Sequence, residues 1–495
     1  MSFSRASRLE GTDRGGIGPR SAFSRRGTLA VVCLATAMLM LDIAVVNTAL
    51  AHIASSLDAG ITGIQWVVDA YTVALAAVVL TSGSIADRLG RRRVFVSGLV
   101  LFTGASLLCG AAQSIEMLDA ARAVQGIGGA ILFATSLSLL ADAFPEWKER
   151  SKALAVYGAT IGASFAVGPA VGGAITSYLG WRWIFYVNIP VGIAAIAATY
   201  RFVRESRDPN ARRIDWAGQT ALVGGLFLLV LALLRGNGDG WGSPAIVAEL
   251  AGAAALLVAF VLVEQRVKEP MLPLGLFRIK EFTGAQIAAF SISASFFPIF
   301  LYMTLYLQQI LGLSPIKAGL VYLPATVLIF LVSGASAQLL EKVSAGVLIV
   351  AGLALVAVGL ALGVLASATS SWVMLLPALM VGGFGTGLFN PAVSAVALGS
   401  APQEQSGLAA GVNDTFRQAG IAVGVALFGA LIPGSAALGQ GTAESFVDGL
   451  HTALIVGAVL AAIGAIASVK LISVRRVPAT VEQLPARIEP VEAAA

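Results

Sequence analysis

Charged residues are scarce in this chain. Only 12% of its 495 residues are Asp, Glu, Lys or Arg, whereas charged residues make up about 25% of a soluble globular domain. Hydrophobic residues reach 57%. This composition excludes a soluble fold and predicts a protein embedded in the lipid bilayer. The net charge of +5 therefore informs on membrane orientation and not on nucleic acid binding, which we do not expect.

Cysteine, histidine and common enzyme motifs are also rare or missing. Cys33 and Cys109 lie in apolar runs that place them at opposite membrane faces, too far apart for a disulfide. The two histidines stand alone, and there is no G-x-S-x-G or H-E-x-x-H sequence. We therefore expect no enzyme, no bound metal and no organic cofactor. Without a Gly-Lys pair there is no phosphate-binding loop, so an ATP-driven pump would need a separate ATPase subunit.

The N-terminus is predicted to be a disordered cytoplasmic tail followed by an uncleaved membrane helix. Residues 1–27 are rich in Ser, Arg and Gly. The stretch SRRGTLAV at 24–31 is similar to a twin-arginine export signal. However, the apolar run that follows is too long for a signal peptide, contains Asp42 and has no small-residue cleavage site.

Fourteen apolar segments are long enough to cross a bilayer, which takes about 20 helical residues. They lie at approximately 28–51, 66–84, 94–113, 118–141, 152–178, 183–203, 216–235, 244–263, 283–306, 317–339, 346–368, 372–397, 408–432 and 450–472. The sequence therefore predicts an all-α membrane protein with fourteen transmembrane helices. An even number of spans puts both termini on the same side of the membrane.

The distribution of positive charge supports this count. If the N-terminus is cytoplasmic, most of the 32 Lys and Arg residues fall in cytoplasmic segments, in agreement with the positive-inside rule. Three basic residues fall on the outer side of the membrane, namely Arg182, Arg235 and Lys317. Two fall within helices, namely Arg122 and Arg417. The seven Trp residues lie at predicted helix ends, which is typical of an interfacial aromatic belt. We expect a multi-pass protein of the bacterial inner or plasma membrane with both termini in the cytoplasm.

A weak internal repeat relates the two halves of the chain. At one constant offset, Gly126 aligns with Gly383, Gly128 with Gly385 and Pro145 with Pro402. This repeat predicts two six-helix bundles and an inserted central pair of helices, as in transporters built from parallel repeats. The predicted segments are an N-terminal bundle at 28–203, a linker with two extra helices at 204–282, a C-terminal bundle at 283–472 and a disordered cytoplasmic tail at 473–495.

The most specific motif is the cytoplasmic link between the second and third helices, GSIADRLGRRR at 83–93. Gly83 is expected to let helices approach closely, and Gly90 to support a tight turn. Asp87 is expected to pair with Arg88 in a lock at the cytoplasmic face. An ordinary basic loop would explain the arginines but not the two glycines and the aspartate.

This loop resembles the signature G-x-x-x-D-R-x-G-R-R of the major facilitator superfamily, in which Arg91 is the first of the final arginines. The fourth helix, RAVQGIGG at 122–129, is similar to the family's R-x-x-Q-G-x-G pattern. The first helix, LDIAVVNTAL at 41–50, is close to an element of the fourteen-helix drug:proton antiporters of the EmrB/QacA type. Ala44 and Ala51 depart from that element, which usually has Thr and Pro there.

The fifth helix resembles a motif associated with antiporters through Gly168, Pro169 and Gly172. Pro169 is expected to kink the helix because it removes one backbone hydrogen bond. The glycines would permit close packing against a helix of the other half, in a seal that opens and closes. General small-residue packing is the alternative explanation.

The resemblance implies the major facilitator fold and an activity. It implies a proton-driven antiporter that exports drugs, antibiotics or other small lipophilic compounds by alternating access, with protons as the coupling ion. A proton-coupled symporter or a metabolite transporter of the same fold is the alternative. The implied partners are a small-molecule substrate and the lipid bilayer. We expect a monomer, and the sequence does not decide whether accessory export proteins take part.

Charges inside the membrane are the candidates for the coupling mechanism. A charge at the bilayer centre costs about 2.5–3.5 kcal/mol, so such residues usually pair, titrate or face a cavity. Asp42 is the candidate proton carrier, and the alternative is a static partner of Arg122 or Asn47. The resemblance gives Arg122 a part in proton coupling, with a structural hydrogen bond or a snorkelling side chain as the alternative.

Four polar residues are candidates for the substrate cavity, namely Asn47, Asp69, Asp414 and Arg417. Asp69 lies about one turn from the predicted outer interface, where water would solvate its carboxylate. Asp414 and Arg417 are spaced i, i+3 and could simply pair with each other. The resemblance offers a second role for Asp414, since the family sometimes uses acids in this helix to bind cationic substrates.

Overall fold

The computed structural model describes most of the chain. The described residues are 22–208, 214–267, 269–402, 405–433 and 441–473. Of the predicted tails, residues 1–21 and 474–495 lie outside these ranges, whereas residues 22–27 belong to the first helix and not to a disordered tail. Within them the chain is helical and contains no strand, so the predicted all-α fold class is confirmed.

Fourteen long helices follow one another in the described chain, one for each predicted segment. They are α1 (Ala22–Ser56), α2 (Ile61–Leu89), α3 (Arg91–Gly110), α4 (Ile115–Ala143), α5 (Trp147–Tyr178), α6 (Trp183–Phe202), α7 (Trp216–Asp239), α8 (Pro244–Arg266), α9 (Lys280–Ile310), α10 (Pro315–Leu339), α11 (Ala345–Gly363), α12 (Trp372–Gly399), α13 (Ser406–Leu431) and α14 (Ala443–Leu471). Thirteen are long and apolar enough to cross a membrane. The exception is α13, whose apolar character is interrupted by Asp414 and Arg417.

Helix boundaries follow from local chemistry. Ser114 accepts a hydrogen bond from the Met117 N–H at the start of α4, and Thr442 caps α14 in the same way, because a side-chain oxygen satisfies a free N–H of the first turn. Gly90 ends α2 at a φ of 113°, a conformation that favours glycine. The sharp turn predicted at Gly90 is thus present.

The same pairs of helices pack together in the two halves of the chain. α1 packs on α5 and α6, α2 on α4, and α3 on α4 and α6. α9 packs on α13 and α14, α10 on α12, and α11 on α12 and α14. The halves meet along two seams, α5 with α10 and α2 with α13. This repetition agrees with the aligned glycines, while the bounds assigned to the two bundles stay predictions.

The inserted pair, α7 and α8, packs along the α2–α13 seam through α7. Gln219 donates to the Ala77 carbonyl oxygen of α2 at 2.8 Å and accepts from Thr81. Near the other end of α7, Asn237 donates to the Ala430 carbonyl oxygen of α13. α7 is therefore hydrogen-bonded to both halves. α8 is much less covered, since only 17% of its most apolar stretch is buried inside the protein.

Two buried carboxyl groups face each other where α7 begins and α8 ends. Asp215 caps α7 by accepting from the Gly218 N–H at 2.8 Å, and Glu264 accepts from the Leu272 N–H at 2.9 Å. Their other oxygens have no donor in the described chain, yet both lie within 2.7 Å of the point where a Cβ on Gly218 would stand. Two buried negative charges in this arrangement would repel each other, so a hydrogen-bond donor between the two free oxygens would stabilise it.

This repulsion predicts different outcomes for two substitutions of Glu264. Glu264→Gln supplies an amide N–H to Asp215 and keeps an oxygen for Leu272, so we expect stability within about 1 kcal/mol of the wild type. Glu264→Ala strands the Leu272 N–H and leaves a void, with an expected loss of about 2–3 kcal/mol. Thermal unfolding of both variants in one detergent measures this, and equal losses would show that a donor between the two oxygens adds no stability.

Candidate functional site

A buried ion pair joins α1 and α4. Nη1 of Arg122 lies 2.6 Å from Oδ2 of Asp42, and the side chains are 3% and 0% exposed. A charge pair without water persists only when further hydrogen bonds satisfy both partners. The structure therefore brings together the two residues that the sequence singled out for proton coupling.

Two amides complete the surroundings of the carboxylate. Oδ1 of Asp42 accepts from Gln125 at 2.8 Å and from Asn188 of α6 at 2.9 Å. Both amides also donate to the hydroxyl of Ser106 in α3. Sequence reasoning assigned no role to these three residues, although Gln125 is the Gln of the R-x-x-Q-G-x-G pattern. For Ser106 and Asn188 the signal was a polar residue inside an apolar run.

Arg122 has partners other than Asp42. Its Nε donates to the Val67 carbonyl oxygen at 3.0 Å, and its Nη1 donates to Gln125 at 2.6 Å. The guanidinium carbon lies 4.2 Å from the centre of the Tyr71 ring, within the range of a cation–π contact. Arg122 is therefore held by several contacts besides its ion pair with Asp42.

A central cavity of about 30 Å³ lies beside this pair, with room for a water molecule. Its polar lining residues are Asn47, Tyr71, Thr72 and Arg122, and its aromatic ones are Phe165, Phe297 and Phe300. Asn47 lines this cavity, and its part in substrate binding stays a prediction. Asp69, Asp414 and Arg417 are not among its lining residues.

The surroundings of these three residues differ from the expectations. Asp69 is fully buried, and neither carboxylate oxygen has a hydrogen-bond partner in the described chain, so the expected solvation at an outer interface is wrong. Arg417 donates to Asn390 of α12 at 3.2 Å. No ion pair joins Arg417 to Asp414 within the described segments, because the contact with Asn390 directs the guanidinium towards α12.

The cytoplasmic link contains an ion pair, but with a different partner. Asp87 pairs with Arg91 at 2.8 Å while Arg88 is exposed, so the predicted Asp87–Arg88 lock is wrong. Asp87 lies in the last turn of α2 and Arg91 is the first residue of α3, beyond the turn at Gly90, so the ion pair spans the turn and links the two helices. No described atom lies within 4 Å of a Cβ on Gly83, so the close helix approach expected there is also absent.

Glu205, just beyond α6, holds the link from the other side. Its carboxylate accepts from the Arg92 N–H at 3.0 Å and lies 3.6 Å from Nε of Arg93. A Cβ on Gly90 would stand 2.6 Å from this carboxylate. Glu205 could not be predicted from the sequence, because its partners are more than one hundred residues away.

The glycines of α5 divide between two neighbours. A Cβ on Gly168 or Gly172 would meet α1 at 2.3–2.5 Å, so these two glycines pack within their own half and not against the other half as expected. A Cβ on Gly173 would stand 2.4 Å from the Pro315 carbonyl oxygen of α10. Conversely, a Cβ on Gly319 of α10 would stand 2.2 Å from the Pro169 carbonyl oxygen of α5.

The repeated bundles, the cavity at their interface and the buried charge pair define a polytopic membrane transporter. A family model described as Major Facilitator Superfamily matches residues 32–425 and 348–492. The chain belongs to that superfamily, and the resemblance seen in its motifs is confirmed.

Three bacterial proteins are similar to this chain in sequence. The chain is 35% identical to the multidrug resistance protein Stp of Mycobacterium tuberculosis over 82% of this chain and 75% of that protein. It is 38% identical to the puromycin resistance protein pur8 of Streptomyces alboniger, over 83% and 82% of the two chains. It is 34% identical to the methylenomycin A resistance protein of Streptomyces coelicolor, over 84% and 88%.

A solved structure supports the fold alone. The crystal structure of the human organic anion transporter MFSD10 (TETRAN) matches 90% of this chain and 99% of its own, with a TM-score of 0.60 and 15% sequence identity.

Proposed function

We propose that this protein is a proton-driven antiporter that exports drugs, antibiotics or other small lipophilic compounds across the bacterial plasma membrane. The observation that carries the proposal is the buried Asp42–Arg122 pair, whose arginine lines the central cavity. The proposal includes cytoplasmic termini, a monomer of two six-helix bundles with an inserted pair, and no cofactor besides the coupling proton. The names of the bacterial relatives support drugs and antibiotics as the cargo.

Alternating access is supported by hydrogen bonds between the halves on one side of the membrane. We call this the outer side; it contains the α1–α2 connection. There Gln308 of α9 donates to the Thr48 carbonyl oxygen of α1 at 2.9 Å, and the Ile316 N–H of α10 donates to Ser177 of α5 at 3.1 Å. These contacts close the outer side, and they must break for the cavity to open there.

In the proposed coupling step, Arg122 exchanges its ion pair with Asp42 for contact with water. A proton arriving from the outer side binds Asp42 and removes its negative charge, which leaves the guanidinium without a counter-ion beside the cavity. A buried unpaired charge is costly, so the neutral form of Asp42 favours a state in which Arg122 is solvated. Release of the proton to the cytoplasm restores the pair, and the substrate moves in the opposite direction.

Transport in inside-out membrane vesicles tests this proposal. A drug-sensitive bacterial host expressing the protein is first challenged with puromycin, methylenomycin A and other antibiotics to find a probe. An exporter accumulates that probe in inside-out vesicles that pump protons inward, and accumulation disappears when an ionophore collapses the proton gradient. Accumulation in right-side-out vesicles instead would identify a symporter and refute the proposal.

A further inference from the structure

Asn188 touches the proposed proton carrier but has no part in the coupling step above. It begins the regular part of α6 and is 4% exposed. Its Nδ2 donates to Oδ1 of Asp42 at 2.9 Å and to the hydroxyl of Ser106 at 3.3 Å. A polar side chain placed so deeply, and aimed at an ionisable group, affects the charge state of that group.

The contacts of Asn188 close a ring of hydrogen bonds. Asn188 and Gln125 each donate to Asp42, and each also donates to Ser106. The four residues come from α1, α3, α4 and α6. An ionised carboxylate only accepts hydrogen bonds, so the nitrogen of each amide must face Asp42, which fixes both amide orientations.

Asn188 differs from the other two donors to Asp42. Arg122 and Gln125 also bond to each other at 2.6 Å, so the loss of either would rearrange the pair itself. The amide nitrogen of Asn188 contacts only Asp42 and Ser106 in the described chain. Its hydrogen bond stabilises the negative form of Asp42, because a carboxylate accepts more strongly than a neutral carboxyl group.

We propose that Asn188 is a positioning residue that sets the pH at which Asp42 takes up its proton, through the hydrogen bond to Oδ1 and the ring closed by Ser106. The inference rests on the proposed function, in which Asp42 is the proton carrier. It adds α3 and α6 to the helices α1 and α4 that determine when coupling occurs.

Infrared titration of the purified protein in liposomes tests this without a known substrate. The carboxyl C=O band that disappears in Asp42→Asn belongs to Asp42, and its intensity against pH gives the midpoint of protonation. In Asn188→Leu, a variant of similar size without the donor, we expect this midpoint to move to higher pH by about 1 to 2 units. A residue that only fills space would leave the midpoint in place.

Two further variants secure the interpretation. Asn188→Asp preserves the shape and places a second carboxyl beside Asp42, so the pair should take up its first proton at higher pH than the wild type. Asn413→Leu is the matched control, since Asn413 is equally buried but donates to Gln286 at 3.1 Å; its Asp42 midpoint should equal that of the wild type.

The outcomes separate the inference from the proposed function. An Asp42 band whose midpoint is unmoved in Asn188→Leu and Asn188→Asp overturns the role of Asn188 and leaves Asp42 as the carrier. A spectrum in which Asp42→Asn removes no carboxyl band shows that Asp42 takes up no proton, which overturns the proposed function as well. A shift in Asn413→Leu as large as that in Asn188→Leu also overturns the specific role of Asn188.

Discussion

Asp42→Asn is expected to abolish proton-driven accumulation of substrate in inside-out vesicles. A proton motive force of about 100 mV is worth about 2.3 kcal/mol per proton, which supports about 50-fold accumulation of a neutral compound when one proton is exchanged. Without a group that takes up and releases the proton, the gradient across the vesicle membrane should fall to unity. The measurement is the steady-state ratio of probe inside to probe outside.

A matched variant distinguishes lost coupling from lost folding. Asp42→Glu retains an ionisable group and should keep part of the gradient, although its longer side chain disturbs the contact at 2.6 Å with Arg122. Asp42→Asn should insert into the membrane and elute as the wild type does, because an amide oxygen still accepts from Arg122. Full accumulation by Asp42→Asn would refute the assignment of Asp42.

The helices were predictable because lipid imposes a simple rule on every spanning segment. All backbone polar groups must be satisfied internally, so apolar runs of sufficient length become helices. Even α13 was predicted, although Asp414 and Arg417 reduce its apolar character. The Asp42–Arg122 pair could be predicted from the sequence for a related reason. Opposite charges inside apolar helices have few alternatives to each other.

The remaining parts of the site depend on contacts between distant segments. Asn188 reaches Asp42 across 146 residues of sequence, and Glu205 meets Arg92 across 113, so spacing within a motif indicates neither contact. Asp69 shows a second limit. Its distance from the end of α2 suggested solvation, but neighbouring helices cover it completely.

Gly319→Ala is expected to open the outer side of the protein. The added Cβ would stand 2.2 Å from the Pro169 carbonyl oxygen and 3.2 Å from Cα of Ala170, and backbone atoms yield only if α5 and α10 separate. Overpacking of this kind costs about 1–3 kcal/mol, which shifts the ratio of closed to open protein about 5- to 150-fold. Transport should fall accordingly, because the cycle requires the closed state.

Disulfide formation between introduced cysteines measures this shift. Ser177→Cys and Ile316→Cys replace residues whose Oγ and N–H lie 3.1 Å apart on the outer side, in a background without Cys33 and Cys109. Cross-linking should be efficient with the native glycine and should fall sharply with Gly319→Ala. Gly334→Ala is the control on the same helix, since a Cβ there meets no described atom within 4 Å. Equal cross-linking in both variants would mean that the contact between α5 and α10 does not hold the outer side closed.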